Sequence, residues 1–130
     1  MGLDTSHNCW HGPYSSFNRF RHSLAKQIGI NLDDYAGYGG KYIVGEGITG
    51  GGTIELSSIK HDVQPLLDHS DCDGHLSVTK CKKIVKGLNS ILENYNYDIE
   101  PDHVYMIEKI TQFRDGCLDA IERKEAVEFH

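Results

Sequence analysis

Positive charge is the first thing this sequence is short of: 13 Lys and Arg face 19 Asp and Glu, for a formal net charge of −6. That balance argues against a protein that coats nucleic acid or lies on an anionic membrane, because both need a broad basic footprint. It leaves room for a local basic pocket holding one phosphorylated small molecule. Long apolar runs are missing too, and none approaches the roughly 18 residues of a membrane span. Met1-Gly2-Leu3-Asp4-Thr5 lacks the basic start and apolar core of a signal peptide. Met1-Gly2 with Ser6 fits the outline of a myristoylation signal, but Leu3-Asp4-Thr5 reads better as a buried strand. Cysteines are few: Cys9, Cys72, Cys81 and Cys117. Without a secretion signal, reduced thiols and a cytoplasmic setting are expected rather than two disulfides.

What is present suits one domain of 130 residues with a sizeable core. Residues 2–6 form a short strand. His7-Asn8-Cys9-Trp10-His11-Gly12-Pro13 is a dense polar and aromatic turn. Pro13 suits a first helical position, and Phe17, Phe20, Leu24 and Ile28 then recur at three and four, a helix that Gly29 ends. From 37 to 52 half the positions are glycine, which predicts a loop or a loosely held hairpin. Within and after it, 41–44 and 53–56 are strand-like and are expected to pair across the glycines. Ile59, Val63, Leu66 and Leu67 have helical spacing, but Pro65 limits them to a short helix. Ser77 is a plausible N-cap for the clearest helix, where Val78, Cys81, Ile84, Val85, Leu88, Ile91, Leu92 and Tyr95 repeat at three and four. Gly87 interrupts it at a cost of about 1 kcal/mol relative to alanine, which suggests a close helix contact. A last helix is predicted from Asp102 to about Lys124, with Val104, Ile107, Ile110, Phe113, Cys117, Leu118 and Ile121 as its apolar stripe. Ala126 to His130 alternates like a strand and is expected to pair with residues 3–6.

The densest polar chemistry lies in Leu66-Leu67-Asp68-His69-Ser70-Asp71-Cys72-Asp73-Gly74. Counted from His69, residues 69–80 resemble a calcium loop. The first position is His rather than Asp, and the twelfth is Lys80 where a bidentate Glu is needed. The plain reading is an acidic turn that caps the following helix. His7, Cys9, His11, His69 and Cys72, with Asp71 and Asp73, include soft and hard metal ligands, but no zinc-finger or His-Glu-x-x-His spacing occurs. A Cys9/His nucleophilic pair has no support from a lowered thiol pKa. Gly45-Glu46-Gly47-Ile48-Thr49-Gly50 matches a dinucleotide-binding fingerprint only by glycine density, because no helix follows it. A flexible lid is the second reading of that segment. Trp10 and Tyr14 precede the apolar stripe and suit a stacking surface beside Arg19 or Arg21, although core packing is the ordinary role of any one of them.

Residues Gly2 to Tyr14, Gly-Leu-Asp-Thr-Ser-His-Asn-Cys-Trp-His-Gly-Pro-Tyr, followed by Phe17-Asn18-Arg19, resemble the opening of a family of small bacteriophage and bacterial proteins. The same family carries the Leu66–Gly74 motif and ends with a pattern like Thr111-Gln112-Phe113 and Val127-Glu128-Phe129-His130. The resemblance covers residues 1–34 and 65–130 and treats the glycine-rich middle as a variable insert. It implies that the three segments belong together, and supplies no activity and no catalytic residue. Its phage association implies a small inhibitor or sequestering protein that blunts host defence.

The expected fold is therefore a single compact α+β domain over 1–130, with about three main helices and a small sheet that includes both terminal strands. The His7–Tyr14 turn, the His69–Gly74 loop and Phe129-His130 are expected to converge on one polar pocket. The first expectation for function is a small-ligand-binding protein that sequesters a nucleotide-derived defence signal without cleaving it, with no catalytic residue and no cofactor. Trp10 and Tyr14 would stack on a base and Arg19 or Arg21 would meet phosphates. Asp71 and Asp73 would accept hydrogen bonds, and His7, Cys9, His11, His69, Ser70 and His130 would complete the wall. The second expectation is a hydrolase using a divalent metal held by His7, His11, His69, Asp71 and Asp73. The third is a protein–protein inhibitor of a host factor, which predicts an exposed apolar patch on a helix. The expected partner is a small polar or nucleotide-type ligand rather than DNA, RNA or a membrane, and self-association is left open. For a phage protein the compartment is the bacterial host's cytoplasm.

Overall fold

A computed structural model describes residues 2–38, 40–43, 45, 47–70 and 73–130, with the backbone alone for 41–43 and 47–49. Asp71 and Cys72, two of the acidic-turn residues, lie outside the described residues. The chain starts with β1 (Gly2–Asp4), which pairs antiparallel with β2 (His11–Pro13) so that Leu3 faces Gly12 and Asp4 faces His11. Between them the chain turns through Ser6–Asn8, where His7 and Asn8 take left-handed φ values of 60° and 56°. Pro13 ends β2 and stands one residue before α1 (Tyr14–Gln27), so it precedes the helix instead of opening it.

The glycine-rich segment forms a hairpin, β3 (Gly40–Ile43) against β4 (Gly47–Gly50). The expected partner, 53–56, does not join it. Ile54 bridges Tyr35 in parallel instead, and the glycines let the chain fold back six residues earlier than the strand-like pattern suggested. After α2 (Gln64–Leu67), with Pro65 in its first turn, comes β5 (His75–Leu76), then α3 (Val78–Glu93) and α4 (His103–Arg123). The last strand, β6 (Val127–Glu128), pairs antiparallel with β5.

Helix α3 starts where a hydroxyl is placed to start it: Ser77 Oγ accepts the Lys80 N–H at 3.2 Å. The cap is therefore Ser77 and not Asp73, because β5 stands between Asp73 and the helix. Helix α4 starts without a cap bond from the Asp102 side chain. Its buried stripe is Met106, Ile110, Phe113, Cys117 and Ala120. Val104 and Leu118 are exposed, so the stripe lies one step round from the expected one. They stand on the outer face with Glu108 and Asp115 between them, which leaves no continuous apolar patch there.

The core is aromatic where the elements meet. Trp10, Phe17, Phe20, Phe113 and Phe129 form one cluster, with ring centroids of neighbours 5.0 to 6.5 Å apart. It joins the first turn, α1, α4 and the end of the chain. A second buried group in the core is the Cys9, Cys81 and Cys117 thiols, all fully buried. Gly116 makes room for Cys9, because a Cβ there would meet the Cys9 Sγ, and would lie 2.7 Å from the His7 carbonyl oxygen. The result is a single compact α+β domain whose small antiparallel sheets include the N- and C-terminal strands. Among the described residues no helix is long and apolar enough to cross a membrane.

Candidate functional site

Strand β6 draws the three motif segments together. On one side, Asp4 and His130 exchange backbone bonds (3.0 and 2.9 Å), and Thr5 bridges Phe129. The Glu128 N–H donates to Ser6 Oγ at 2.8 Å. On the other side, the Phe129 N–H donates to the Gly74 carbonyl at 2.9 Å, and the His69 ring lies on the Phe129 ring with centroids 4.1 Å apart.

The His69 ring also brackets its own turn. Nδ1 lies 2.7 Å from the Ser70 carbonyl oxygen and Nε2 lies 3.0 Å from the His75 carbonyl oxygen. Both neighbours are carbonyl acceptors, so the neutral ring donates to one of them, and both ring edges lie against backbone. His7 has polar neighbours at both ring nitrogens as well, with Nδ1 2.9 Å from Ser6 Oγ and Nε2 3.0 Å from Glu125 Oε1. His11 is exposed and pairs with Asp4, its cross-strand partner in the β1–β2 ladder. Asp73 is exposed, and among the described residues no three His, Cys, Asp or Glu side chains gather as a metal-holding group.

Two further expectations are corrected by burial. Trp10 is 1% exposed and packs between Phe17 and Phe20, so it offers no face to a base. Cys9 is fully buried, and its neighbour Cys117 has its thiol held above the usual range by hydrogen bonds to Cys81 and Cys9 and then by burial. Closed off from solvent, Cys9 and Cys117 serve as packing groups. Tyr14 is half-buried against the core. Arg19 turns away to Asp102 (3.3 Å) and lies over Tyr105, and His130 sits exposed at the chain end.

Arg21, His69 and Ser70 do come together. They line a pocket of about 290 Å³ with Asn18, Tyr38 and Asp68. Arg21 is 4% exposed. Its guanidinium packs over Phe17 and Tyr38 (4.8 and 5.3 Å to the ring centroids), and NH1 donates to the His69 carbonyl at 2.5 Å. Tyr38 is fixed in turn, its hydroxyl donating to the Leu67 carbonyl at 2.7 Å. Asn18 was legible, because it stands one helical turn before Arg21 and shares its face. Tyr38 was not, because only the fold brings the segment after α1 over the turn at 68–70. The wall thus holds a dry cation, a phenol, an amide, a carboxylate and a hydroxyl against Leu56 and Leu67. Compared with protein-family models, curated proteins and solved structures, the chain matches none.

Proposed function

We propose that this protein is a non-catalytic binder of a small polar ligand, held in the pocket of Asn18, Arg21, Tyr38, Asp68, His69 and Ser70. The observation that carries the reading is the Arg21 guanidinium, kept almost dry at the wall of the pocket and anchored, like the Tyr38 hydroxyl beside it, to a backbone carbonyl. An anchored charge in a low-dielectric wall orients an anionic or strongly polar group with little ordering cost. The volume is at the small end for small-molecule sites and suits one ring or one phosphorylated sugar. The resemblance to small phage proteins supplies the finer version, in which the ligand is a nucleotide-derived defence signal that is withheld and not cleaved.

The test is a panel of nucleotides and nucleotide-derived signals incubated with the purified protein. One member is expected to raise the thermal midpoint, to fall in free concentration, and to return with unchanged mass after denaturation. Asn18→Leu, at an exposed pocket residue, is expected to abolish the shift. A panel in which no free nucleotide falls, or one in which the nucleotide returns cleaved, refutes the proposal.

A further inference from the structure

A second concavity, away from Arg21, gathers positive charge in a chain that is acidic as a whole. We propose that this cleft, between residues 57–62 and α3, binds the phosphate groups of a small di- or triphosphate. It encloses about 610 Å³ and is lined by Lys60, His61, Lys83 and Lys86, with the Ser57 and Ser90 hydroxyls at its margins. Three ammonium groups face one carboxylate there, Asp62.

Among the described residues none of the three lysines has a carboxylate within ion-pair distance, whereas Arg19, Arg114 and Arg123 each do. Lys83 and Lys86 stand at i, i+3 on one helix, where like charges repel. A multivalent anion between them and Lys60 removes that repulsion. Lysine is a mobile point charge with three donors, which suits the rotating oxygens of a phosphate chain better than a planar carboxylate.

His61 supplies a neutral donor. Its Nδ1 accepts the Val63 N–H at 3.1 Å, so the neutral ring carries its proton on Nε2. Burial lowers its pKa, against the opposing pull of Asp62, and so keeps the ring neutral near pH 7. Protonation would put a second N–H against that of Val63.

The backbone is built to hold these groups close. Gly87 faces the segment 62–63, where a Cβ would lie 2.6 Å from the Val63 nitrogen and 2.8 Å from the Asp62 carbonyl carbon. The missing side chain in mid-helix lets that segment close on α3. The same contact sets Lys60 and His61 beside Lys83 and Lys86, and Ile59, largely buried, makes an apolar footing. The cations converge from two segments on one open concavity instead of running along a stripe, which favours a small molecule over a nucleic-acid backbone.

Inorganic pyrophosphate, titrated calorimetrically at low salt, tests the cleft directly. Saturable one-to-one binding is expected, weakened about tenfold or more in Lys83→Gln/Lys86→Gln. Lys80→Gln/Lys82→Gln removes the same charge from exposed positions of α3 outside the cleft and is expected to leave the affinity within about twofold. Asn18→Leu is expected to have no effect, which separates this site from the Arg21 pocket. No saturable binding, equal weakening in both double variants, loss of binding in Asn18→Leu, or tighter binding of duplex DNA than of pyrophosphate would each overturn the proposal.

Discussion

Single residues decide more here than their composition suggests, and Glu100 is the clearest case. It is largely buried in the loop before α4, where Oε2 accepts the Ser23 hydroxyl at 2.8 Å and Oε1 accepts the Asp102 N–H at 3.2 Å. It ties α1 to the start of α4 and satisfies an amide there. The Ser23 bond, helped by the Asp102 amide, Arg19 and Lys26, outweighs burial and holds its carboxyl below the usual range. The sign follows. The stabilisation is fully present above the ordinary value of 4.5 and is lost as pH falls through the lowered folded value. Glu100→Gln is expected to cost about 1–2 kcal/mol at pH 7 in urea unfolding, with the gap to wild type closing steadily below pH 4.5. Trp10 shows the opposite effect of position. A tryptophan so enclosed is worth about 3–5 kcal/mol on truncation, so its energy goes into the core.

At the scale of elements, Gly87 sets two effects against each other. Alanine in mid-helix gains about 1 kcal/mol of propensity. Against that, its Cβ would press on the backbone of residues 62–63, which cannot swing aside like a side chain. Overpacking of this kind costs about 1–3 kcal/mol, so Gly87→Ala is expected to lower stability in urea and to weaken pyrophosphate binding together. Helix α3 was legible because its stripe and the Ser77 cap agree, and so was a close approach at Gly87, although its neighbour is the turn at 62–63 and not a helix. The phase of α4 was not, because its apolar residues cover more than half the circumference. Only packing against α3 selects Met106 and Ala120 over Val104 and Leu118. The strand pairings of the middle were hidden for another reason: glycine specifies register weakly, so 47–50, and not 53–56, meets 40–43.

Across the whole molecule, motif density in the sequence pointed to a real junction but mixed two kinds of residue. Arg21, His69 and Ser70 reach the pocket, while Trp10, Cys9 and His7 hold the junction together. Polar and aromatic side chains in a turn look alike in sequence whether they face a ligand or brace a fold. Which cavity a side chain lines tells them apart, and that exists only in three dimensions. The lysine cleft escaped notice for a related reason. Lys60 stands far from Lys83 and Lys86 along the chain, and a net charge of −6 hides a local surplus.

The stitching of both chain ends through β6 also governs the order in which the protein assembles. Thr5 meets Phe129, and Ser6 meets Glu128 across 122 residues, whereas α3 and α4 are neighbours in the chain. Closing so long a loop is entropically unrewarded until most other contacts exist. The helical pair is therefore expected to nucleate, with the terminal stitch closing afterwards. Pulse-labelled hydrogen exchange during refolding should protect amides of α3 and α4 before those of Glu128 and His130, which bond to Ser6 and Asp4, and simultaneous protection would exclude that order. Because His69 rests on Phe129, which Thr5 bridges, the turn behind the Arg21 pocket is fully braced only in that final step.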